Sequence, residues 1–207
     1  MKYILLVLVS VILISCGVGI SNTNTIVFKE GSDLKDDEYS YNVFFDDLTT
    51  EYRLAKYFFT ANELKAYKLV PKEVRRTFMM NFWRMKDPNP VTEVNEYVEE
   101  IKNRIRYSNA YFTHYQQGWT TDRGRIYIKY GEPYEKGKDL TSGTSRFPNK
   151  SYEIWKYRVS ENMTYIFIDS QGYGNFRLIY AEGDGEQMQL PEWQSYLGDG
   201  FNESDLY

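Results

Sequence analysis

Between residues 48 and 117 apolar positions return every three or four residues, and from residue 126 onward they return every second one. The change of period predicts a helical first part and a sheet in the second. Thr60-Ala61-Asn62-Glu63 has the form of a capping box, in which the Thr hydroxyl and the Glu carboxylate each satisfy a free backbone amide at a helix start. Pro71 suits the first turn of the next helix, whose apolar stripe is expected at Val74, Phe78, Phe82 and Met85. Asp87-Pro88-Asn89-Pro90 breaks that helix. The longest helix follows. It carries Val94, Val98, Ile101, Ile105, Ser108, Phe112 and Tyr115 on one face, a Glu100–Arg104 pair on the other, and Gly118 ends it.

Ile126, Ile128 and Tyr130 alternate with Tyr127 and Lys129, which predicts a first strand. Residues 152–158, 163–169 and 175–181 read as three more, joined by short connections into an antiparallel meander with Gly172-Tyr173-Gly174 as a hairpin turn. The expected fold is α+β, with N-terminal helices packed on a C-terminal antiparallel sheet of about four strands. The helical part is placed at residues 47–117 and the sheet part at 118–182. Residues 132–151, with Lys136, Lys138, Arg146 and Lys150, form a long polar link of the kind that is usually functional or mobile. Residues 183–207 are an acidic extension in which Leu190-Pro191-Glu192-Trp193 is a docking point.

The N-terminus changes the picture of where this domain works. Lys2, an apolar run from Ile4 to Ile14 and the small residues behind it form an export signal, too short to span a bilayer comfortably. Leu13-Ile14-Ser15-Cys16 resembles a bacterial lipobox, so residues 1–15 are read as a lipoprotein signal peptide and Cys16 as the lipidated first residue. An ordinary signal with an incidental Cys is the competing reading. Acyl chains such as palmitate transfer to lipid at about 0.8 kcal/mol per CH2, so they would hold the protein at a membrane without a spanning helix. Residues 16–46, rich in Ser, Asn, Thr, Gly and Asp, are read as a flexible tether.

Cys16 is the single cysteine, so no disulfide or thiolate metal site forms within one chain. With 20 Tyr, 12 Phe and 4 Trp, the domain has enough apolar bulk to be held by its core instead. The formal net charge is −4, and loss of Lys2 with the signal makes it more negative. That balance excludes a nucleic-acid partner, which needs a basic footprint.

The chemistry concentrates in Gly118-Trp119-Thr120-Thr121-Asp122-Arg123-Gly124-Arg125. On one reading this is a structural corner: Gly118 takes positive φ as the helix stops, Trp119 fills the angle between helix and sheet, and Thr121 or Asp122 caps the turn. Asp122, Arg123 and Arg125 then clamp the two parts together, an Arg pairing with Glu96 or Glu100. On the other, the Arg pair holds a carboxylate or phosphate beside the Trp face. These residues, with Phe82-Trp83, Asp87-Pro88, Asn95-Glu96, Gly131-Glu132-Pro133 and Tyr152-Glu153-Ile154-Trp155, resemble the GWxTD-domain proteins of Bacteroidota and related bacteria. The resemblance spans about residues 48–182. It implies an exported protein, as many members are, and brings no catalytic residues.

His114 is the single histidine, which excludes a site of several imidazoles. Paired carboxylates are the catalytic chemistry left: Asp122 and Glu132 bracket the expected first strand, with a strand's length between them. The expectation is therefore a lipid-anchored, non-catalytic interaction or assembly module of the cell envelope, an accessory subunit of an outer-membrane or secretion-linked complex. Its partners are the membrane, through Cys16, and other envelope proteins; no cofactor or metal is expected. Gly17 behind the Cys, with no acidic cluster following, points to the outer membrane and its periplasmic side. The alternative is cell-wall glycan binding or hydrolysis.

Overall fold

The computed structural model describes residues 34–35, 44–183 and 188–207. The signal, Cys16 and most of the tether lie outside the described residues. The described end of the expected tether is part of the domain: Phe44 and Phe45 are buried in the helical core, and Leu34 pairs with Phe45, because two adjacent phenyl rings are more stable in that core than in water. Helix α1 (Leu48–Ala55) begins where the Asp47 side chain accepts from the amides of Thr49 and Thr50. Helix α2 (Ala61–Leu69) begins at the expected capping box, with Glu63 N donating to Thr60 Oγ1 at 3.2 Å and Thr60 N to Glu63 Oε2 at 2.7 Å. After Pro71 a 3-10 turn (Lys72–Val74) precedes helix α3 (Arg75–Arg84).

The buried face of α3 is Met79, Phe82 and Trp83, at i, i+3 and i+4; of the expected stripe Phe82 lies in it and Phe78 packs half-buried beside it. Val74 and Met85 fall just outside the helix at either end and are exposed. Helix α4 (Glu96–Phe112) is capped by Asn95, whose Oδ1 accepts from Val98 N and whose Nδ2 donates to Trp83 O. Its buried face holds Val98, Ile101, Ile105, Ser108 and Phe112 of the expected stripe together with Lys102, whereas Val94 and Tyr115 fall outside the helix and are exposed, and the helix ends six residues before Gly118.

The predicted first strand is a helix. Helix α5 (Asp122–Tyr130) starts at Thr121, whose side chain accepts from Gly124 N, and stops at Gly131, where φ is 78°. Its apolar residues alternate because it is packed on several sides at once. Ile128 joins the helical core with Trp83, Ile101 and Trp119, and Ile126 faces the sheet core with Trp155 and Tyr165. Tyr127 stacks on Tyr107 of α4 at 4.4 Å. A helix enclosed this way loses the one-sided 3.6-residue stripe.

The sheet is an antiparallel meander in sequence order: β1 (Glu135–Leu140), β2 (Ser151–Arg158), β3 (Asn162–Ile168), β4 (Arg177–Glu182) and the two-residue β5 (Met188–Gln189). β1 lies inside what reads as a polar loop, and the residues that follow it are tied to the C-terminal segment. Ser142 N donates to Leu197 O, Arg146 N to Ser195 O, and Ser145 Oγ to Tyr196 O. A bulge at Ile179, opposite the Ile166–Phe167 step, shifts the register of β4.

Both faces of the sheet are covered. Trp155, Tyr165, Phe167 and Leu178 meet Phe112 and Ile126 on the helical side. Ile154, Ile166, Ile168 and Tyr180 meet Trp193 and Leu197 of helix α6 (Trp193–Leu197), and Leu206 of the closing 3-10 turn (Glu203–Leu206), on the other. This is why β2 and β3 are apolar at nearly every position.

Candidate functional site

Two backbone approaches set up the central motif. A Cβ on Gly118 would lie 1.8 Å from Ser108 O, and one on Gly124 would lie 1.9 Å from Gly118 O. The 3-10 turn Gly118–Thr120 is thus pressed against α4 on one side and the first turn of α5 on the other. Gly118 is required by this contact and not by positive φ. Thr121 Oγ1 donates to Gly118 O at 2.7 Å and accepts from Gly124 N at 3.0 Å, closing the turn into the helix.

Trp119 is fully buried. Its Nε1 donates to Gln117 Oε1 at 2.7 Å, its ring stacks on Phe45 at 5.4 Å, and the Arg53 guanidinium lies 5.5 Å from the ring centroid. It anchors the helical core, so its face is not open to a ligand. The arrangement in which an Arg pair holds an anion beside this ring does not form.

Arg123 projects from α5 toward the sheet. Its guanidinium sits 3.9 Å from the Phe176 ring centroid and 4.8 Å from that of Phe112, donates to Glu153 Oε1 of β2 at 3.3 Å and to Gly174 O at 3.2 Å. Side-chain exposure is 10% for Arg123 and 5% for Glu153, so this is a buried pair. Burial draws the Arg123 pKa down, and the carboxylates of Glu153 and Asp169 push it back up. Glu153 Oε2 accepts from Trp155 Nε1 at 3.0 Å and lies 3.5 Å from Lys136 Nζ. Asp169 accepts from the amides of Gly172, Tyr173 and Gly174, shaping the expected hairpin turn that presents Gly174 O to Arg123.

Asp122 binds a different strand. Its Oδ2 accepts from Leu178 N of β4 at 2.9 Å and lies 3.6 Å from Arg177 Nε. Arg125 is half-buried on the same helix. Glu96 is remote from Arg123: its Oε1 accepts from Thr92 Oγ1 at 2.7 Å, and this hydrogen bond lowers its pKa. Glu100 pairs with Arg104 at 2.8 Å, and Arg104 in turn donates to Ile128 O and Lys129 O at the end of α5. The structure therefore brings Asp122 and Arg123 onto the sheet, leaves Glu96 apart, and buries Trp119 in the other core.

Glu153 and Glu51 escaped the sequence reading. Glu51 is fully buried, with Oε2 accepting from the amides of Phe44 and Phe45 and Oε1 from Trp83 Nε1 at 2.7 Å. Burial pushes its pKa up against these donors. Glu153 is the single acidic residue of β2, flanked by Tyr152 and Ile154, and only the fold supplies its Arg.

Asp122 opens α5 and Glu132 lies two residues past its end, so the helix alone holds them about 12 Å apart at 1.5 Å per residue. That exceeds the ~5–9.5 Å of the two glycosidase geometries. His114 is half-buried with its ring 4.0 Å from that of Tyr115. Among the described residues no group of three or more His, Cys, Asp or Glu is placed to hold a metal, and no helix is long and apolar enough to cross a membrane. A cleft of about 360 Å³ opens beside Asp122, between Tyr115, Phe176 and Arg177.

Compared with known proteins, the chain matches the family model of the GWxTD domain over residues 34–182. No curated protein and no solved structure matches it.

Proposed function

This chain belongs to the GWxTD-domain family, and from that premise we propose that it is a lipid-anchored cell-envelope protein whose domain is a non-catalytic interaction or assembly module. One observation carries the reading: two of the motif's chemistry-bearing side chains, Trp119 and Arg123, are turned inward. Trp119 is enclosed, and Arg123 lies between two phenyl rings against a buried carboxylate. A motif used this way builds the scaffold, and recognition falls to the surface around it.

The surface offers a row of tyrosines along the outer side of α4 and just past it, Tyr107, Tyr111 and Tyr115, the last two 66% and 76% exposed. Tyr111 leans on Tyr107 at 4.4 Å. Tyrosines present large, stiff contact area with a polar tip, the composition of protein–protein contacts. On this reading Cys16 carries the acyl chains, the chain between Cys16 and Leu34 spans the gap from the outer membrane, and the tyrosine row meets another envelope protein as an accessory subunit.

The test has two arms. Incorporation of an alkyne-labelled fatty acid is expected in the native protein and not in Cys16→Ser; labelling that survives the substitution would refute the anchor. Cross-linking from membranes is expected to recover a defined partner with the native protein and to lose it with Tyr111→Ala/Tyr115→Ala at equal thermal stability. Unchanged recovery would move recognition elsewhere.

A further inference from the structure

On the face of the sheet opposite the helices, strand β1 leaves a cleft of about 460 Å³ against the closing 3-10 turn. Its floor follows from register. Glu135, Gly137 and Asp139 of β1 lie opposite Lys156, Ile154 and Tyr152 of β2, so these six share one face. At the centre stands a residue with no side chain. A Cβ on Gly137 would meet only Ile154 Cβ, at the ordinary contact distance of 3.9 Å, and its φ is not left-handed. The glycine is therefore not demanded by the backbone. What its absent side chain leaves is a notch over Ile154.

The polar groups round the notch are not matched. Glu135 is paired with Lys156 at 2.9 Å, and Lys156 also donates to Tyr207 O at 3.1 Å. Lys138 borders the cleft but belongs by alternation to the other face of β1, opposite Glu153. Asp139 accepts only from the adjacent Leu140 amide, and neither it nor Asp205 of the 3-10 turn has a salt-bridge partner among the described residues. Tyr152, 5% exposed, lines the same cleft, and no hydrogen bond from the described residues reaches its hydroxyl. Asp139 stands opposite Tyr152 in the β1–β2 register and Asp205 lines the same cleft, and burial, then the charges of these two carboxylates, raise the Tyr152 pKa. The ring of Tyr152 is buried while its hydroxyl opens into the cleft, where a group from solution can reach it.

We infer that this cleft binds a primary alkylammonium group, with Tyr152 Oη and the carboxylates of Asp139 and Asp205 as acceptors for its three N–H donors and the Gly137 notch over Ile154 as the seat of its aliphatic stem. Two uncompensated carboxylates beside a neutral acceptor select a cationic donor over an anion. The apolar floor distinguishes an alkyl stem from a polyol. The site is remote from the tyrosine row and stands independently of it.

The group could arrive on a lysine side chain of a polypeptide or on a free small amine. Both are tested by NMR titration of the purified protein, with an Nα-acetyl-lysine methylamide peptide mimic and with 1,5-diaminopentane; hexanoate and N-acetylglucosamine are the controls. Both amines are expected to shift the Gly137 and Tyr152 amides, and the controls are not. Gly137→Leu, which fills the notch, and Asp205→Asn, at an exposed position, are each expected to weaken binding about tenfold or more, as is Tyr152→Phe. If Tyr152→Phe fails to fold, the other two variants decide the question. Tighter binding of the lysine mimic identifies a polypeptide as the source, and tighter binding of the diamine a free amine. The inference is overturned if neither amine shifts these amides, if hexanoate or the sugar shifts them equally, or if Gly137→Leu binds as the native protein does.

Discussion

Replacing Arg123 with Met removes the cation between Phe112 and Phe176 and keeps much of its volume. Glu153 is then left at 5% exposure with the Trp155 indole N–H and with Lys136, whose side chain is 43% exposed and 3.5 Å away. Breaking a buried ion pair from one side costs about 3–5 kcal/mol, because the remaining charge is neither solvated nor paired. Lys136 offsets part of this, so the expected loss is about 3–4 kcal/mol. For a chain of this size that lowers Tm by ~6–16 °C. Urea unfolding of Arg123→Met, Glu153→Gln and the double variant forms a cycle, and the two changes together should cost less than their sum by about 1.5–3 kcal/mol. A loss below about 1 kcal/mol for Arg123→Met, or a coupling energy near zero, would show that the pair does not hold α5 to the sheet.

Three further outcomes follow from the same geometry. Gly118→Ala and Gly124→Ala each drive a Cβ into a carbonyl oxygen and should cost more than ~3 kcal/mol or abolish accumulation, whereas Gly143→Ala, with nothing within 4 Å, should stay within about 0.5 kcal/mol by thermal melting. Thr121→Ala removes the cap of α5 and the hydroxyl bond to Gly118 O, an expected loss of about 1–2 kcal/mol in urea unfolding. Burial raises the Glu51 pKa above its ordinary 4.5, so its stabilising contribution is full below pH 4.5 and falls as pH rises through the raised value. The stability gap between the native protein and Glu51→Gln should therefore shrink from acidic to neutral pH, and a gap that widens would refute the direction.

How much of this was visible beforehand depended on whether the signal was local. The capping box at Thr60–Glu63 is written within one helical turn and the Val98–Phe112 face of α4 in steps of three and four residues, and the β2–β4 meander is written in dense apolar runs between short polar connections. Residues 126–130 misled because five alternating residues fit both a strand and a helix packed on several sides. The local mark against a strand was Thr121, three residues before Gly124 and at a helix start. β1 was invisible for the opposite reason: Glu135-Lys136-Gly137-Lys138-Asp139-Leu140 has no apolar alternation, and its strand character comes from backbone pairing with β2 at a charged edge.

The α+β class, the order of helices before sheet, and the family are legible in the chain alone, because each rests on periodicity or on a contiguous motif. What the motif residues do emerges from contacts made in the folded chain. Arg123 finds Glu153 thirty residues away, Asp122 finds Leu178 fifty-six away, and Gly118 finds a carbonyl of α4. Which buried charge meets which partner depends on chain crossings that no local pattern records. The cost of leaving any such charge unpaired then makes those few contacts decisive for the fold.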